Sequence, residues 1–107
     1  MPTNAIDATH EPAAPPSDAD LARKLVVLEQ HSLPPNEDDF IADAKWLQSQ
    51  YGTPAFEPYR GTHIAVLKRG IVGHARNSLQ LQFDVARKFG VHPQQVLIVY
   101  IPSSIFG

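Results

Sequence analysis

The chain contains no cysteine, which excludes a disulfide framework, a thiolate nucleophile and any cysteine-based zinc site and suits a reducing compartment. It has no apolar run near the roughly 18 residues that mark a membrane-spanning helix. Its start, MPTNAIDATHE, lacks the basic residues and apolar core of a signal peptide. A cytoplasmic location is the expectation. No stretch repeats, so a solenoid or propeller is excluded. Negative charge is scarce in one half only. From residue 58 onward Asp84 is the single acid, against Arg60, Lys68, Arg69, Arg76, Arg87 and Lys88, a balance of +5. Residues 1–57 carry ten acids against Arg23, Lys24 and Lys45, a balance of −7. Such a division fits either a nucleic-acid surface or two halves that neutralise each other within one fold, and the pI of 6.2 favours the second.

What remains is enough for one small core: 107 residues, 43% of them hydrophobic. Four of the ten prolines fall in residues 1–16, where Ile6 is the one large aliphatic side chain beyond the initiator, so this segment is expected to be a disordered arm. A single α+β domain is expected over 17–107. Ser17 or Asp18 caps a helix over 18–31, with Leu21, Leu25 and Leu28 on one stripe and Val26 and Val27 off it, free for a second contact. SLPPN ends that helix, and Asn36 with Asp39 forms a capping-box pattern ahead of a second helix near 38–51. Its stripe is Phe40, Ala44, Leu47 and Tyr51; Trp46 and Ile41 lie elsewhere and are expected to pack against a neighbouring element.

Two short strand-like runs follow, THIAVLK and IVGHAR, joined by a hairpin around Arg69-Gly70. The turn is either Arg69-Gly70 or Lys68-Arg69-Gly70 with a left-handed Gly70, the second being the better match because arginine resists positive φ. The first places His63 and His74 on one sheet face and the second on opposite faces. NSLQLQFDVARKFG then reads as an amphipathic helix from Ser78 to Phe89, with Asn77 as N-cap and Gly90 as the left-handed stop. Leu79, Phe83 and Ala86 share a face that Phe89, Val85 and Leu81 widen, an arc broad enough for a sheet on one side and helices on the other. The run Val96 to Ile101 supplies a third strand. Strand three can pair antiparallel with strand one or parallel with strand two, and either order gives a three-stranded sheet in a ββαβ unit preceded by two helices. The order 2-1-3 is favoured because it leaves the Gly- and His-containing strand at an edge. That order leaves the last strand as an unguarded edge. Either the tail Ser103 to Gly107, with Ile105 and Phe106 as its cover, or an N-terminal helix is expected to fold over it, or a second copy pairs there as a homodimer.

Tyr59-x-Gly61 ahead of Ile64-Ala65, Gly70 ahead of Val72-Gly73, a helix, and then Val99-Tyr100-x-Pro102 resemble a family of short prokaryotic ββαβ domains of unknown function. The resemblance spans roughly Trp46 to Pro102 and implies a fold and no activity. Members of that family can be encoded near genes for retropepsin-like proteases, so the resemblance implies such a protease as a partner.

Candidate site residues are few. His10, His31, His63, His74 and His92 show no ligand spacing, so no metal is expected, and no cofactor either. The turn before the Ser78 helix places His74, Arg76, Asn77 and Ser78 at a helix N-terminus, a candidate anion site. Arg60, Lys68, Arg69 and Arg76, with Tyr59 or Tyr100 for stacking, are candidate nucleic-acid contacts. Asp84 stands at i, i+4 from Lys88, the spacing of a surface ion pair, and Ser103 and Ser104 have no general base placed near them, so no catalytic residue and no enzyme are expected. The reading is a non-catalytic module that recognises a partner protein, with anion or nucleic-acid binding by the basic half as the alternative.

Overall fold

A computed structural model describes residues 17–103; the expected arm at 1–16 and the tail residues Ile105 and Phe106 lie outside the described residues. The order is α1 (Asp18–Gln30), α2 (Glu37–Gln50), a 3-10 turn (Pro54–Tyr59), β1 (Thr62–Leu67), β2 (Gly70–Ala75), α3 (Ser78–Phe89), a second 3-10 turn (Pro93–Gln95) and β3 (Leu97–Ile101). This is the expected α+β class, and the strands lie in the order β2-β1-β3 with β3 antiparallel to β1. No helix among the described residues is long and apolar enough to cross a membrane.

The helix ends follow from their caps. Ser17, Asn36 and Asn77 each accept from the backbone N–H three residues on, at 3.2, 3.0 and 3.0 Å, which satisfies a donor that the first helical turn leaves open. Gly90, at φ 66°, stops α3 as expected. The Asn36 motif departs from a capping box in its second half. The Asn36 amide donates to the Oε1 of Gln95, whose Nε2 returns a bond of 3.2 Å to the Asn36 carbonyl. Gln95 is buried, so one side chain stitches the start of α2 to the turn before β3.

Two apolar clusters lie on opposite faces of the sheet. On one, Ala65 and Leu67 pack under Leu81, Val85 and Ala86 of α3, with Leu28 of α1 behind them, so α3 is held between sheet and α1 as its broad apolar arc implies. On the other, Ile64, Val66 and Ile101 meet Phe56, with Trp46 and Leu47 of α2 packed alongside. Trp46 therefore takes the packing role expected of it, whereas Ile41 is 44% exposed.

The hairpin differs from both expected turns. Lys68 and Arg69, at φ 50° and 58°, form the two-residue connection, and Gly70 pairs with Leu67 as the first residue of β2. Two successive left-handed residues match the right-handed twist of a hairpin, although Asn-Gly is the usual pair there. The reason is Asp43 of α2, 1% exposed, whose Oδ1 accepts the Arg69 amide at 2.7 Å and lies 3.4 Å from its Nη1. A buried acceptor fixed in this position rewards the conformation that arginine otherwise resists.

An unbulged strand pair continuing from Leu67 and Gly70 sets His63 opposite His74. Instead the register slips between Ala65 and Val66, leaving Val72 as an extra residue, so His63 pairs with Ala75 and Ile64 with His74. The two histidines thus lie on opposite faces. The slip also turns Gly73 toward α3, where an added Cβ would stand 3.3 Å from Leu81 Cδ1 and 3.4 Å from Val85 Cγ2. Glycine at this position lets the helix approach the strand.

Candidate interaction groove

The expected anion site is engaged from within the chain. Asn77 Oδ1 caps α3 at the Gln80 amide, while its Nδ2 donates to Asp18 Oδ1 at 3.2 Å, so a carboxylate of α1 stands beside that helix N-terminus. His74 is exposed on β2 and stacks edge-on with Tyr59, centroids 5.1 Å apart. Arg76 is exposed, and its carbonyl accepts from His63 Nδ1 at 3.0 Å. Ser78 is half-buried in the first turn of α3.

Of the expected nucleic-acid contacts, Arg60 donates through Nε and Nη2 to the two carboxylate oxygens of Glu57, at 2.9 and 2.7 Å, and Arg69 reaches Asp39 and Asp43 at 3.4 Å each. The Arg60 hydrogen bond holds the Glu57 carboxyl below its ordinary value and raises the guanidinium in turn. The acidic and basic halves therefore neutralise each other at these two arginines. Lys68 and Arg76 stand at opposite ends of β2, about 20 Å apart along the strand. The two stacking candidates, Tyr59 and Tyr100, face histidines, Tyr100 with His63 at 5.1 Å. His92 caps the second 3-10 turn by accepting from the Gln94 amide at 2.9 Å. Among the described residues no three His, Asp or Glu side chains converge as a metal site would need. Asp84 forms no pair with Lys88: it accepts from Gln80 Nε2 at 2.8 Å, and Lys88 lies over the Phe89 ring at 5.7 Å.

The structure opens a concave surface elsewhere, between α1 and α3. Asp20, Arg23, Lys24 and Val27 recur along one flank of α1, with His31 at its C-cap, beside the buried Leu21 and Leu25 stripe, and Phe83 and Arg87 face them from α3. The open depression they border, with Leu28 also lining it, measures about 670 Å³. Its lining is partly apolar: Val27, 54% exposed, stands on the outer flank of α1, and Phe83 carries Lys24 Nζ over its ring at 5.9 Å. Its rim is basic. Arg23 contacts Asp20, while Lys24 and Arg87 form no salt bridge among the described residues. A second hollow of about 260 Å³ lies between Tyr51, Phe56, Arg60, Ile101 and Pro102.

The off-stripe position of Val27 was the sequence signal for this groove. Phe83 gave none, because it merges into the wide apolar arc of α3. No family model matches the chain, and no curated protein or solved structure is significantly similar to it.

Proposed function

We propose that this chain is a small non-catalytic module that binds a partner protein, with the α1–α3 groove as its binding face. The observation that carries the reading is the exposed Val27 on the lining of a groove between two helices, with Phe83 on the other helix. Apolar side chains left in water at a concave site gain by meeting a partner, at about 25 cal/mol per Å² of apolar surface removed from water. The engagement of Arg60 and Arg69 by acids of the same chain supports this reading over nucleic-acid binding, which needs bases free to meet phosphates. The sequence resemblance to short prokaryotic ββαβ domains, which no family model bears out, names a retropepsin-like protease as one candidate partner.

The test is a selection from a random peptide library on the immobilised full chain, repeated on Val27→Asp. Because Val27 is half in water, the variant keeps the fold, which a matching thermal melt verifies. Enriched peptides of any charge that lose binding to the variant support the reading. Enrichment that ignores the variant, or salt-steep binding of oligonucleotides in its place, overturns it.

A further inference from the structure

The groove has a charge and a backbone character that together specify its occupant. It is walled by two α-helices, whose main-chain groups in the walls are already paired within each helix. It therefore offers no ladder of amides and carbonyls to an added β-strand. A helix carries its hydrogen bonds with it and can lay an apolar stripe against Val27, Leu28 and Phe83. Asp20 to His31 marks about 16 Å of α1, or three turns of such a helix.

The rim sets the charge. The half of the chain with ten acids has only three bases, Arg23, Lys24 and Lys45, and two of these line the groove. Arg87 joins them from α3, and His31 adds a donor at the far end, against the single acid Asp20, which is taken up by Arg23. We infer that the groove takes an acidic amphipathic helix of a partner protein, its apolar stripe on Val27 and Phe83 and its carboxylates beside Lys24 and Arg87. This rests on the groove being the binding face and adds the conformation and charge of what fills it.

The test uses the full chain and three fluorescent peptides of about fourteen residues. The first has leucines at i, i+3, i+4, i+7 and i+11 on a Glu/Ala background. The second replaces each Glu by Lys, and the third scrambles the leucines. Anisotropy should show the acidic peptide binding at least about tenfold more tightly than either control and weakening as salt rises. Val27→Asp should cost it about tenfold, and Arg87→Glu and Lys24→Glu about fivefold each, with unchanged melts. Equal or tighter binding of the Lys peptide that still depends on Val27 overturns the acidic occupant and leaves the binding face standing. Peptide binding indifferent to Val27→Asp overturns both. Self-association that Val27→Asp abolishes, or an oligonucleotide that binds with the same Arg87 dependence, assigns the groove to a second copy or to nucleic acid and overturns the inference.

Discussion

On the α3 side of the sheet, Ala65 and Leu67 meet Leu81, Val85 and Ala86, an all-apolar contact; on the α2 side, the one buried residue of the covering helix is the carboxylate of Asp43. The first face closes as hydrophobic surfaces do, by area and fit. The second is completed by Phe56 from a 3-10 turn and positioned by a polar strut, Asp43 to the Arg69 amide, which ties α2 to the β1–β2 turn. A hydrophobic face tolerates sliding until its side chains interlock. A single buried acceptor fixes one point of contact and, through it, the backbone of a turn. The strut gives α2 a register against the sheet that its half-buried Phe40, Trp46 and Leu47 would specify less sharply.

Truncation on each face tests this contrast. Leu81→Ala should cost about 2 to 5 kcal/mol, the range for a buried leucine that leaves a cavity. Asp43→Ala should cost about 2 to 3 kcal/mol, because it orphans the Arg69 amide in a turn that depends on it. In a domain of this size each kcal/mol lowers Tm by about 4 to 8 °C, so differential scanning fluorimetry resolves both. Asp43→Asn, which retains an acceptor oxygen, should lose less than Asp43→Ala. Equal losses from the two would mean that charge, and not the amide bond, is what Asp43 contributes.

A smaller effect of opposite sign is expected at the turn itself. Lys68 holds φ 50° with no compensating bond from its own amide, so Lys68→Asn, a residue that tolerates the left-handed region, should stabilise the chain by about 0.5 kcal/mol. Arg69→Gly keeps the amide for Asp43, gains freedom at φ 58° and loses the guanidinium contacts at 3.4 Å, so its urea midpoint should move little. A large loss at Arg69→Gly would move the weight of the strut from backbone to side chain.

Much of this architecture was legible in the sequence, for reasons that differ by element. The bounds of α3 are written by Asn77 and Gly90, and both work locally. The hairpin and the crossover helix leave β3 a place beside β1 or beside β2, and the glycine and histidine of β2, which suit an edge, favour the observed order 2-1-3. The turn residues were not legible, because the acceptor that selects Lys68-Arg69 lies 26 residues earlier. Asp43 nonetheless had a signal: on a wheel of about 100° per residue it falls about 60° from Phe40, an acid at the margin of an apolar stripe. The slip that leaves Val72 unpaired has no comparable mark beyond Gly73. At the candidate sites, Arg60, Arg69 and Asn77 were identified by type, and their carboxylate partners Glu57, Asp39, Asp43 and Asp18 emerge only once the chain is folded.

The α2 side also carries the clearest pH effect, and it is the smallest. Glu57 has its carboxyl held below the ordinary value of 4.5, first by the hydrogen bond from Arg60, with the partial loss of hydration opposing it and the charge of Arg60 adding to it. A carboxylate whose value is depressed in the folded state stabilises the fold fully above its unfolded value, and this contribution is lost as pH falls through the lower folded value. The window therefore lies from about pH 4.5 downward, and neutral and basic conditions leave the pair intact. Both groups are at the surface, where salt screens them, so the effect is a slope and not a collapse. Urea midpoints of the parent chain and Glu57→Gln should be separated by a constant gap above pH 5 that narrows on acidification. A gap that stays constant down to pH 3, or that widens, would show that the pair leaves the carboxyl where an unfolded chain has it.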